Sequence, residues 1–199
     1  FRTIDTRAFL EPITSVEQIP TFGDWRKINA QALLTGEIHE KEAGRVEVAF
    51  RLWDVLAEKQ LAGKTFVAEE QNWRRVAHLI ADEIYKRLTG EDGYFDSRVV
   101  YIAESGRADQ RVKRLAIMDQ DGANHQFLTD GRDLVLTPRF DPSRQRIIYL
   151  SYMGNNPQVY IYNLETGHEE KLGIFKGRSF APRFSPDGSA VIFSIAEGG

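Results

Sequence analysis

The sequence contains no cysteine. Without thiols there is no disulfide scaffold, no zinc ribbon and no thiol nucleophile, and the chain suits a reducing or an oxidising compartment equally. Long apolar runs are missing too, so no segment reads as a helix inserting directly into a membrane. No charged stretch followed by an apolar core of signal-peptide type occurs among these residues. Charge of one sign is also scarce. The 26 Lys and Arg against 29 Asp and Glu leave a net −3, which favours neither nucleic acid nor an anionic membrane surface as partner. The densest basic cluster, Arg107, Arg111, Lys113 and Arg114, is interrupted by Asp109 and reads as a solvated hairpin loop rather than a phosphate site.

Catalytic signatures are absent as well. There is no Gly-x-Ser-x-Gly elbow, no Gly-x-Gly-x-x-Gly and no P-loop. His39, His78, His125 and His168 are scattered without ligand spacing, and His168-Glu169-Glu170-Lys171 is not a His-Glu-x-x-His zinc motif. Asp119-Gln120-Asp121-Gly122 opens like a calcium loop but lacks the later ligands, so a β-turn with Gly122 at positive φ accounts for it. No catalytic residue, cofactor or metal site is therefore expected.

What is present falls into two grammars that change near residue 90. Before it, helix and strand periods mix. Phe1 to Ile4 reads as strand, and a short helix is expected near Asp24, carrying Trp25 and Ile28. Leu33 to Ile38 is a short apolar run, and Val46, Val48, Phe50 and Leu52 alternate with polar or small residues; Glu40 to Gly44 would join the two as a hairpin. Lys64 to Ala68 makes a third strand. Asn72 sits where a helix N-cap belongs, and Trp73, Val76, Ala77, Ile80, Ala81, Ile84 and Leu88 follow at helical spacing. Lys86 and Arg87 suit the last turn and Gly90 stops it. Residues 1–93 thus predict an α/β domain, with helices on a small mixed sheet.

Residues 94–199 predict an all-β domain with an internal repeat. Thr137-Pro138-Arg139-Phe140-Asp141-Pro142-Ser143 recurs 44 residues later as Ala181-Pro182-Arg183-Phe184-Ser185-Pro186-Asp187. The same offset links Leu115 with Val159, Ile117 with Ile161, Leu128 with Leu172 and Ile148 with Ile192. Arg98 to Tyr101 matches Arg146 to Tyr149 at 48, leaving a longer loop at Glu104 to Arg111. A period of this length with four short strands is one propeller blade. The best-covered unit reads as strands at Val135 to Phe140, Arg146 to Ser151, Gln158 to Tyr162 and His168 to Leu172. The first unit has only the later three strands, from Arg98, Val112 and Asn124, and the third only two. An incomplete β-propeller with open apolar faces is expected, as a segment of a longer protein.

These residues resemble the TolB-type, WD40-like propeller repeat, in which a Pro-x-Phe-Ser-Pro-Asp-Gly turn precedes an apolar strand. Ala181 to Ser189 is a full instance and Thr137 to Arg144 a weaker one. Phe1 to Asp5, Trp25, Ala32 to Ile38, Phe50 to Asp54, and the helix ending Ile84-Tyr85-Lys86-Arg87-Leu88-Thr89-Gly90 are similar to the later part of the TolB amino-terminal domain. The resemblance implies a non-enzymatic protein-binding adaptor of the Gram-negative periplasm. Its implied partners are the lipoprotein Pal and the inner-membrane protein TolA, in a system serving outer-membrane integrity and division. The loops before each blade's first strand are the binding candidates: Arg132, Asp133 and Leu134 after Gly131, and Arg178, Ser179, Phe180 and Ala181 after Gly177. The resemblance puts the second set where TolB-like proteins contact Pal. The propeller portion of a prolyl-oligopeptidase-like hydrolase shares the repeat and remains the alternative.

Overall fold

A computed structural model describes residues 2–197, and contacts divide the chain into two units, residues 1–96 and 97–199. In the first unit, helix α1 (Phe22–Lys27) precedes a meander of β1 (Ala32–Lys41), β2 (Arg45–Asp54) and β3 (Lys59–Glu69), and α2 (Trp73–Thr89) follows. The register runs from Ala32↔Asp54 to Lys41↔Arg45, and Glu42–Gly44 closes the turn where the hairpin is expected. Every pairing is antiparallel, which corrects the mixed sheet: consecutive strands joined by tight turns must reverse direction.

Alternation along β2 sends its side chains to two different cores. Phe50 and Leu52 pack with Ala62 beneath Ile80 and Ile84 of α2. Trp53 joins Leu33, Trp25, Ala30 and Val55 on the opposite face, with Ile4 and Ile13 against that cluster. Trp25 is anchored by its indole N–H, which donates to Glu11 Oε2 at 2.9 Å.

Three expectations for this unit need correction. Phe1 lies outside the described residues, and Arg2 to Ile4 form no strand. Asn72 occupies the cap position of α2 but makes no side-chain cap bond. A 3₁₀ turn at Glu70–Asn72 holds its backbone at φ −93 and ψ 11, away from the extended conformation from which a cap side chain reaches back. The apolar stripe also frays at its ends, since Trp73 is 55% exposed and Leu88 36%. The helix stops as the sequence predicts: Gly90 turns left-handed at φ 81 and its N–H donates to the Lys86 carbonyl at 2.9 Å.

The second unit is built of three sheets. The first contains β4 (Arg98–Ser105), β5 (Val112–Asp119) and β6 (Gln126–Phe127). The second is a four-stranded meander of β7 (Val135–Phe140), β8 (Arg146–Ser151), β9 (Gln158–Asn163) and β10 (Glu169–Lys171). The third pairs β11 (Arg178–Phe184) with β12 (Val191–Ala196). The fourth strand is shorter than His168 to Leu172, and β6 starts at Gln126 rather than Asn124.

The sheets stack face to face. Ile147 and Tyr149 of β8 pack with Leu115 and Ile117 of the first sheet, while Ile148 and Leu150 meet Phe184, Val191 and Phe193 of the third. Both faces of β8 are therefore covered, which is why its sequence does not alternate. The 44-residue repeat is visible bond by bond. Asp141 N donates to Arg146 O, and Ser185 N to Ala190 O. Arg139 Nη1 donates to Pro138 O, and Arg183 Nη1 to Pro182 O. Register slips between Leu136 and Arg139 and again between Phe180 and Arg183. Thr137 and Ala181 sit at those slips with φ of 51 and 50.

Candidate functional site

The two candidate segments lie at one end of the stacked sheets. β7 opens opposite the end of β8, Val135↔Ser151, and β9 opens opposite the same end, Ser151↔Gln158. The connection 152–157 between β8 and β9 therefore sits at that end. It joins the two candidates: Tyr152 N donates to Leu134 O at 2.9 Å, and Ser179 N donates to Pro157 O at 3.0 Å. This connection, with Met153 48% exposed, is absent from the sequence-based candidates. The signal was available, because a strand entered from one end must be followed by one that returns to it.

Within 131–134, Arg132 is exposed but already engaged. Its backbone N–H donates to Asp130 Oδ1 and its Nε lies 3.0 Å from Asp130 Oδ2. Leu134 offers an exposed apolar side chain. Asp133 is half-buried. Burial raises the Tyr160 hydroxyl pKa, and the charges of Glu169 and Asp133 add to the rise.

The second segment is not a loop. Arg178, Ser179, Phe180 and Ala181 are the opening residues of β11, with Arg178↔Ala196 and Phe180↔Ser194 paired to β12. The slip at Ala181 and the proline behind it hide the strand's period in the sequence. Arg178 and Ala181 are exposed, Phe180 is half-buried and Ser179 fully buried. Gln158 Nε2 donates to Gly177 O at 3.1 Å, holding the strand's entry. The Gln158 Oε1 and Ser179 Oγ atoms are buried without a hydrogen-bond partner.

Among the described residues, no group of His, Cys, Asp and Glu is placed to hold a metal ion. The basic cluster is spent on neighbours: Arg111 and Lys113 both pair with Glu104, and Arg107 with Asp109. Asp119 and Asp121 close their own turn, accepting from Asn124 Nδ2 at 2.6 Å and Ala123 N at 3.0 Å. In the first unit, a groove of about 470 Å³ runs past Phe9, Glu11, Trp25, Leu33 and Thr35. Burial raises the Glu11 pKa there, but N–H donors from Thr21 and Trp25 outweigh it and keep the carboxylate low. It stands as the acceptor that ties Thr21 and Trp25 together. No helix among the described residues is long and apolar enough to cross a membrane.

Known proteins are similar to this chain in sequence and fold. The family model described as the TolB amino-terminal domain matches residues 1–61, and that described as the TolB beta propeller domain matches residues 85–199. The Tol-Pal system protein TolB of Paramagnetospirillum magneticum is 58% identical over 180 residues, covering 90% of this chain and 40% of that protein. The crystal structure of TolB from Acinetobacter baumannii superposes with a TM-score of 0.81 at 31% identity, over 90% of this chain and 45% of that one. The chain thus spans less than half the length of these relatives.

Proposed function

The chain belongs to the TolB family, and from that premise we propose that it is part of a periplasmic, protein-binding adaptor of the Tol-Pal system. The observation that carries this reading is the order of the two matched modules, an amino-terminal TolB domain followed by a TolB propeller in one chain. The module boundary proposed is at residues 93/94. The partners proposed are the lipoprotein Pal, received by the propeller, and TolA, in support of outer-membrane integrity and cell division. The role is binding rather than catalysis. The hydrolase alternative rests on the repeat alone and draws no support from the first module.

The proposed Pal-facing surface is the end bearing Arg132, Asp133 and Leu134 together with Arg178, Ser179, Phe180 and Ala181. A half-buried aromatic beside an exposed Arg suits an interface anchor. The test is a titration of the full-length protein against purified Pal, with TolA titrated separately. Binding at about 10 μM or tighter is expected for Pal. Phe180→Ala should weaken it by about 1–2 kcal/mol. No binding by the full-length protein would overturn the reading, and so would an α/β-hydrolase module carrying a nucleophile elbow.

A further inference from the structure

The third sheet meets the second through polar contacts at both ends of its first strand. At the entry, Gln158 Nε2 donates to Gly177 O and Ser179 N donates to Pro157 O. At the exit stands a buried ion pair. The Asp141 carboxylate has no exposed side-chain surface. It accepts from Ser143 N at 2.9 Å, Ser143 Oγ at 3.0 Å and Arg144 N at 3.1 Å, and from Arg146 Nε and Nη2 at 2.9 and 2.5 Å.

That pair touches β11 directly. The Arg146 guanidinium lies over the Phe184 ring, 5.5 Å from its centroid. Gly188, in the turn after β11, sits so close that a Cβ there would fall 2.5 Å from Asp141 Oδ1 and 2.3 Å from Ser143 Oγ. One sheet earlier Arg98, the counterpart of Arg146, also reaches the following sheet, donating to Gln145 in the turn 141–146. The third sheet has Ala190 at the position 44 residues beyond Arg146.

We propose that Gln158 at one end, and Arg146 with Asp141 at the other, are positioning residues that clasp β11 onto the second sheet and so hold Arg178 to Ala181 in a preformed arrangement. Apolar burial between the sheets resists separation but not sliding, because it is non-directional. Hydrogen bonds with fixed donor and acceptor atoms, and a guanidinium held over a ring by its fork on a carboxylate, define a register. Two such contacts at opposite ends of one strand stop both translation and tilt. The proposal leans on the partner reading only for what Arg178 to Ala181 receive.

The experiment is hydrogen exchange on the full-length protein, comparing residues 178–184 with 160–163, for Gln158→Ala, Arg146→Ala and Arg146→Lys. Both alanine variants should speed exchange in 178–184 by about tenfold while leaving 160–163, beyond the substituted residue, unchanged. Arg146→Lys keeps a charge for Asp141 but loses the fork that sets the guanidinium over Phe184. Arg146→Ala should also loosen the turn 141–146; with Lys that turn should recover while 178–184 stays loosened, a split that general destabilisation does not produce. Uniform acceleration across 135–196, or unchanged exchange in 178–184, overturns the clasp. A parallel Pal titration keeps the two ideas apart. A full-length protein that binds no Pal refutes the partner reading, and the exchange pattern still decides the clasp.

Discussion

The two units use sheets in opposite ways. Residues 2–96 bury one sheet between helical segments supplied by their own neighbourhood, with Phe50 and Leu52 under α2 and Trp53 beside Trp25. In residues 97–197 each sheet is the cover of the next. β8 is buried on both faces by strands from separate repeats, leaving Ile147, Ile148 and Tyr149 with no exposure at all. Stability in the first unit is local, whereas in the second it is a property of neighbouring pairs.

That difference can be broken most directly by cavities. Tyr149→Ala should cost about 3–5 kcal/mol. In hydrogen exchange on the full-length protein it should release the first and second sheets together. Leu52→Ala should cost about 2–5 kcal/mol, with faster exchange confined to residues 32–89. Loss of protection in β8 on substituting Leu52 would show that the units are not energetically separate.

Strain offers a finer contrast. In the first unit the non-glycine residues with left-handed φ, Asn29, Ala43 and Glu58, stand in connections; in the second Asn124 does too, but Thr137 and Ala181 stand inside strands. Thr137→Gly should raise unfolding free energy by about 1 kcal/mol, and Ala181→Gly by somewhat less, since a β-branched residue tolerates that conformation worst. Denaturant melts read this out. No gain at Thr137 would mean that β7 relaxes around it.

The smallest effect concerns the second repeat turn. Asp187 takes hydrogen bonds from the Ser185 hydroxyl and from the N–H and hydroxyl of Ser189, which draw its carboxyl down from about 3.8 to about 2. A depressed carboxyl contributes stability that is complete above its unfolded value and lost as pH falls through the folded one. The turn 185–190 should hold at pH 5 and loosen between about pH 4 and 2. An NMR titration of Asp187 with a midpoint near 4 would contradict this.

Legibility in the sequence followed the same divide. β7 and β8 were placed to the residue, because repeated Asp-Pro and Ser-Pro turns mark their ends twice. In the first unit the hairpin is legible from alternation and a polar link ending in Gly44, and α2 from its apolar spacing and Gly90; α1 is placed only near Asp24, and Ile28, expected in it, lies just past its end at Lys27. The missing cap bond of Asn72 was not legible, since whether a side chain caps depends on the backbone angles of the turn before it. Arg178 to Ala181 read as loop because the slip at Ala181 and Pro182 breaks strand alternation. The 152–157 connection carries no repeat mark, and only the topology brings it between the two candidate segments.

Four is an even number, and that has a consequence for how this rim can change. A meander of four antiparallel strands returns the chain to the end from which it set out, so each further sheet delivers its opening residues to the same side. An assembly growing by such units accumulates one short opening segment per unit along a common edge. A single segment can then differ from its neighbours while the turns at the far end stay alike.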